Sequence, residues 1–211
     1  REIRVPETLV GRPIKALTDV RNPLLGPEGA AAIFGPQKGL TPDDVPAVES
    51  CLKRLADVVR SQFGRDIATL PGAGAAGGIA GALAGILDCP IVPGFEEIAR
   101  RVELDAKLSR SDVVLTGEGQ LDAQTWYGKT VSGVVTSAQR HRLGTFAFAG
   151  RIHDSAYAGR PADVEVRAVT PADMDFADAC QHAEALLTEA VVQEAPRILE
   201  RARGSRAQAP E

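Results

Sequence analysis

Three short strand-like runs, separated by helix-like segments, constrain the C-terminal half of this chain more than any other feature. They are DVVLTG at 112–117, GTFAFAG at 144–150 and VEVRAVT at 164–170. Continuous apolar runs of this kind suit strands of a parallel sheet that is covered on both faces. Between the first two, a helical pattern runs from Gly128 to about Arg140. After the third, another runs from Asp175 to Arg203, with Leu186, Leu187, Val191 and Val192 on its apolar side and Pro196 as an interruption or kink. The order strand, helix, strand, loop, strand, helix implies right-handed crossovers. We therefore expect an α/β fold: a Rossmann-like parallel sheet with helices on both faces, plus part of a second α/β domain.

The N-terminal half is richer in turns. IKALTDV (14–20) reads as a strand that stops at Asn22-Pro23. RNPLLGPEGAAAIFGPQKG is mostly loop, with a helical piece around GAAAIF. Thr41-Pro42-Asp43-Asp44 reads as a helix start, with Pro46 disturbing the first turn. In PGAGAAGG-IAGALAGIL, Gly77, Gly81 and Gly85 fall on one helix face. Glycine costs a helix ~1 kcal/mol relative to alanine, so three on one face call for another backbone close by. PGFEEIARRVELDAKLSRS reads as helical with polar breaks. The expected division is 1–90 as part of the second α/β domain, 91–203 as the Rossmann-like portion and 204–211 as a flexible tail.

Composition excludes several function classes. Net charge is −4 and no basic stripe is legible, which argues against nucleic acid as a partner. Cys51, Cys89 and Cys180 are too scattered for a disulfide framework or a zinc site, as are His141, His153 and His182. The three cysteines read as structural thiols in a reducing cytoplasm. AAGGIAGALAGIL is shorter than the ~20 residues that span a bilayer, so no membrane is expected. The chain begins at Arg1, and we expect it to be a piece of something longer.

In a parallel α/β sheet, ligands collect beyond the carboxyl ends of the strands, where LTGEGQLDAQTWYGKT (115–130) is expected to lie. Gly117 and Gly119 would let the backbone turn tightly and approach a ligand. Glu118 and Asp122 suit Mg²⁺, which takes one or two carboxylates plus substrate phosphates. Lys129, at the start of a helix, would attract an anion. PGAGAAGG, with Gly72 and Gly74, offers either a second anion site or close packing. It is neither a Walker loop nor a dinucleotide fingerprint in context, since no Lys-Ser/Thr follows and no apolar strand precedes it. Lys38 is a loop lysine. Asp19 is either catalytic or a cap on the turn through Asn22.

Taken together, DVRNPLLGPEGAAAIFGPQKG, PGAGAAGG and TGEGQLDAQTWYGK resemble the type I glycerate kinase family, in order and in spacing. The resemblance covers residues 19 to about 130. It implies a cytosolic kinase that moves the γ-phosphate of ATP to glycerate with Mg²⁺, built from two α/β domains. Asp19, Asn22, Lys38, Glu118, Asp122, Gln124 and Lys129 fall on the family's motif positions. On chemistry, the expected roles are catalysis for Asp19, Asp122 and Lys129, and metal binding for Glu118 and Asp122. Substrate or phosphate contacts are expected of Asn22, Lys38, Gly72, Gly74, Gly117, Gly119 and Gln124. The family's N-terminal Asp-Ser-Phe-Lys-Gly-type loop and its Gly-Gly-Ser-Ala-Thr-type stretch are not found, and Val131 stands where members often have proline. Pairing with a missing N-terminal portion or with a second copy is therefore expected. The alternative is an inactive relative that binds an anionic metabolite or a partner chain.

Overall fold

A computed structural model describes residues 2–126 and 130–206. The chain divides into two compact units, one running to Glu97 and the other starting at Ile98. Each is mixed α/β with a parallel sheet flanked by helices.

The first unit contains β1 (Ala16–Thr18), α1 (Ala30–Phe34), α2 (Val45–Phe63), α3 (Ala75–Leu87) and β2 (Ile91–Pro93). β1 and β2 pair in parallel, with Ala16 opposite Ile91 and Thr18 opposite Pro93. The strand expected over 14–20 is thus only three residues long, and β2 is too short to show a period in the sequence. Its pairing with β1 carries the first unit past residue 90, where the sequence suggested the division.

α2 begins at Val45, so Pro46 stands in its first turn, where a backbone N–H has no helical partner to lose. Thr41 locks the entry by donating from its N–H and hydroxyl to Asp44 Oδ2, at 2.9 and 2.5 Å. Those bonds hold the Asp44 carboxyl below its usual range. The helix ends at Gly64, which has a left-handed backbone and donates to the Arg60 carbonyl.

The core of this unit gathers Leu24, Ala56, Val59, Ile67 and Ala73 between α2 and α3. The glycine stripe of α3 serves it at two positions. A Cβ at Gly81 would lie 2.9 Å from Ala73 Cβ, and one at Gly85 would lie 2.4 Å from Val59 Cγ1. Gly77 differs: a Cβ there would meet nothing, and its φ is +70°. With Ala76 and Gly78 it forms a left-handed turn, so the regular helix starts only after Gly78.

The division between the units falls within α4 (Gly94–Arg101). Beyond it come α5 (Leu104–Leu108), β3 (Val113–Leu121), α6 (Thr130–Arg140), β4 (Gly144–Ile152), β5 (Val164–Ala168), α7 (Phe176–Gln181) and α8 (Ala183–Arg206). The sheet order is β3-β4-β5, all parallel. β4 shows why helices cover both faces. Its Ala147 and Ala149 face α6, packing with Val131 and Val135. Its Phe146 and Phe148 face α8, packing with Ala190 and Ile198. Successive side chains point to opposite faces, so FAFA alternates a large residue toward one helix with a small one toward the other.

Three expectations need correction. β3 runs on to Leu121 and β4 to Ile152, both past their glycines. α8 continues through Pro196, and the helical break comes earlier, at His182. Asp175 caps α7 there by accepting from Ala177 N at 2.9 Å. Finally, the buried face of α8 is Ala190, Glu194 and Ile198, while Leu187 and Val192 stay exposed. Among the described residues no helix is long and apolar enough to cross a membrane.

The packing at Gly85 yields a direct prediction. Gly85→Ala inserts a methyl against Val59 and Ile67 and is expected to destabilise the chain by about 1–3 kcal/mol, read from urea unfolding midpoints.

Candidate functional site

The site is built from the carboxyl end of β3. The strand stays in register with β4 through Gly117 opposite Phe148, Glu118 opposite Ala149 and Gln120 opposite Arg151. Gly117 and Gly119 therefore do not turn the chain; they lie in an extended strand. At Gly117 the reason is close approach, since a Cβ would come 2.4 Å from the Phe148 carbonyl oxygen. Gly150 on β4 is equally tight, with a Cβ falling 2.7 Å from the Gly119 carbonyl oxygen. Gly119 itself faces open space.

After Leu121 the chain folds into a 3₁₀ turn, Ala123–Trp126. Thr125 organises it and is fully buried, at 0% exposure. Asp122 N donates to Thr125 Oγ1 at 3.0 Å, and Thr125 N donates back to Asp122 Oδ1 at 3.2 Å. This is the reciprocal logic of a capping box. The Thr125 hydroxyl then donates its own proton to Glu118 Oε1 at 2.9 Å. One buried residue thereby holds both half-buried acids, Glu118 through its hydroxyl and the Asp122 carboxylate through its backbone N–H. Glu118 Oε2 has no hydrogen-bond partner among the described residues. Trp126 pins the turn from behind, its Nε1 donating to the Ala156 carbonyl at 2.7 Å.

Two residues here escaped the sequence reading. Thr125 was legible only as part of a motif, because a threonine in a turn usually caps or faces solvent. Arg151 was hidden because β4 was expected to stop at Gly150. It is exposed at the end of β4, and no ion pair is seen for it among the described residues. A cation just beyond an apolar strand was the available signal. Lys129 and the side chain of Gln124 lie outside the described residues.

The remaining expected residues belong to the first unit. Asp19 follows β1, and its Oδ1 accepts from Phe95 N at 3.0 Å in the first turn of α4. Gly94 leaves room for it, since a Cβ there would lie 3.2 Å from both carboxylate oxygens. Asp19 thus holds a helix start, rather than capping the Asn22 turn. Asn22 closes its own loop, donating from Nδ2 to the Glu28 carbonyl at 2.8 Å.

Gly72 and Gly74 pack backbone to backbone against the loop after β1. Their N–H groups donate to the carbonyls of Arg21 and Asn22, at 3.1 and 3.0 Å. The intervening Ala73 donates to Leu70, and Ala75 to Gly72. A Cβ at Gly74 would fall 2.3 Å from the Pro23 carbonyl oxygen. The N–H groups of residues 72–75 thus already have partners, which favours close packing for Gly72 and Gly74. Lys38 is exposed on a 3₁₀ turn, Pro36–Lys38, closed by left-handed Gly39.

Comparison with known proteins adds the following. A family model described as the glycerate kinase family matches residues 4–199. The glycerate kinase of Halalkalibacterium halodurans is 34% identical over 178 residues, covering 84% of this chain and 47% of that protein. The glycerate 2-kinase of Escherichia coli is 35% identical over 141 residues, covering 67% of this chain and 37% of that protein. A crystal structure from Salmonella typhimurium LT2 carrying a glycerate kinase 2 designation superposes with a TM-score of 0.64 at 31% identity, over 90% of this chain and 51% of that one. The chain spans about half the length, or less, of the curated relatives it matches.

The buried hydroxyl gives a test independent of activity. Thr125→Val keeps the shape but removes the donor to Glu118 and the acceptor for Asp122 N. It should cost about 1–3 kcal/mol in urea unfolding, and Thr125→Ser should recover most of that.

Proposed function

The chain belongs to the glycerate kinase family, and from that premise we infer that its second unit carries the phosphoryl-handling rim of an ATP-dependent kinase acting on glycerate. The observation that carries this is the Glu118–Thr125–Asp122 chain of hydrogen bonds at the carboxyl end of β3. Phosphoryl transfer asks a protein mainly to position groups and neutralise charge. Two acids held by one threonine, at the end of a parallel strand, meet the first demand.

The donor set fits Mg²⁺. Glu118 is fixed through Oε1 and keeps Oε2 for a ligand. Among the described residues no group of three or more His, Cys, Asp or Glu is placed to hold a metal. Mg²⁺ takes one or two carboxylates and fills the rest of its shell with phosphate and water. Bound there, it would neutralise charge on the phosphates. Glu118 and Asp122 would hold it, and to Asp122 we also assign the acceptance of the proton of the glycerate hydroxyl. Lys38 and Lys129 supply positive charge for phosphate, as the family motif implies. Arg151 adds a cation that the motif does not name. Asp19 and Asn22 shape the loop after β1. The enzyme is a phosphotransferase to an alcohol group and works in the cytoplasm, where ATP is supplied.

ADP release coupled to a spectrophotometric readout, with glycerate and Mg·ATP on the intact protein, tests this. Glu118→Gln and Asp122→Asn should each lower kcat by roughly 100-fold or more. Unchanged turnover in both variants would remove these acids from the reaction. ADP release that does not depend on glycerate would remove the substrate assignment.

A further inference from the structure

At the opposite end of the second sheet from the acids lies a charged pocket of about 460 Å³. It opens at the amino ends of β4 and β5, beside the last turns of α8, and its lining includes Arg142, Gly144, Glu165, Arg197, Glu200 and Arg201. β4 runs from this pocket to the rim, and its nine residues span about 26 Å at ~3.3 Å per residue. A small ligand here is out of reach of Glu118 and Asp122.

Two residues of the pocket break local preference. α6 ends in a Schellman motif, with Leu143 N donating to the Ala138 carbonyl at 3.0 Å and Arg142 N to the Gln139 carbonyl at 2.9 Å. The left-handed position of that motif is ordinarily glycine, and here it is Arg142, with φ +57°. β4 then opens with Gly144, although a buried strand favours branched or aromatic residues. A Cβ at Gly144 would fall 2.8 Å from Arg201 Cγ, so bare backbone is what seats the Arg201 stem. An arginine stands where glycine fits, a glycine stands where a side chain fits, and both choices bring a guanidinium to one pocket. Local rules broken together in this way point to function.

The charges define the ligand. Arg197 is already paired, with Glu165 and with Glu194. For the side chains of Arg142, Arg201 and Glu200 no ion pair or hydrogen bond is seen among the described residues. Two free guanidinium groups suit an oxyanion, which they bind through charge-assisted, bidentate bonds. The free carboxylate of Glu200 repels an anion that is all acceptor and accepts from one that keeps a proton. Inorganic phosphate keeps a proton at neutral pH and sulfate keeps none. A phosphomonoester has mostly lost its own, since its second pKa is about 6. A lining this charged also differs from a packing face, which is depleted of charge at its centre.

We propose that this pocket is an anion site for inorganic phosphate, held by Arg142 and Arg201, with Glu200 accepting the phosphate proton. The site uses no residue of the Glu118–Asp122 rim and stands whether or not the kinase reading does.

Phenylglyoxal labelling of the intact protein tests it, read arginine by arginine from peptide masses at an ionic strength held constant with chloride. Phosphate at ten times its Kd should slow labelling of Arg142 and Arg201 roughly tenfold and leave Arg54, exposed on α2, unchanged. Sulfate and glycerol phosphate should each need roughly tenfold higher concentrations for the same protection. Labelling of both arginines that is indifferent to phosphate overturns the site. So do arginines that are unreactive from the start, because another stretch of protein then covers them. Equal protection by sulfate or by glycerol phosphate overturns the choice of inorganic phosphate.

Arg142→Gly provides the second arm. It restores the residue that the turn prefers, so the variant should keep or raise its urea midpoint while the phosphate concentration that protects Arg201 rises tenfold or more. Glu200→Gln should let sulfate protect as well as phosphate does. A folded Arg142→Gly whose Arg201 is protected at the original phosphate concentration also overturns the site, and an unchanged preference for phosphate in Glu200→Gln overturns the role of Glu200.

Discussion

The rim of the second unit depends on parallel hydrogen bonding between β3 and β4 that persists beyond their apolar residues. Pairing continues to Leu121 opposite Ile152. Had β3 ended at its first glycine, Glu118 would hang from a loop and Thr125 would have no fixed acid to meet. Instead the acid stands on a strand whose backbone is fixed by the sheet, and the turn that follows folds back onto it. Rigid elements place reactive groups more closely than free loops do.

Glycine does two kinds of work in this chain. At positions 74, 81, 85, 117 and 150 it is absence of volume that matters, because a Cβ would collide with backbone or with packed side chains. At 64 and 77 it is the left-handed backbone that matters. The sequence shows the residue but not which kind of work it does. This is why PGAGAAGG and TGEG looked alike on paper and differ in the structure. The first packs against the loop after β1, with the N–H groups of residues 72–75 already bonded. The second lines an open cleft.

Much of the α/β architecture was legible, because DVVLTG and GTFAFAG carry their burial in composition and α2 carries a helical period. The missed elements lacked such a signal. β2 has three residues and exists only through pairing with β1. The ends of β3 and β4 are polar or glycine-rich and are strands because the neighbouring strand continues. At the site, Glu118 and Asp122 stood out as acids close in sequence. Their link through Thr125 did not, because a hydroxyl that reaches back seven residues to Glu118 depends on the strand continuing to Leu121. Arg151 was lost for the same reason: its importance comes from lying opposite Gln120.

The tight fit at Gly117 also bears on how the sheet assembles. Parallel strands must find one another across long stretches of chain, and a slip by one residue turns every side chain to the other face. In the native alignment the Phe148 carbonyl sits where a Cβ would be at residue 117. Moving β3 by one position brings Thr116 or Glu118, each with a Cβ, to that oxygen. The glycine therefore acts as a key cut for one alignment, because a sheet shifted by one residue would carry a steric conflict at that oxygen.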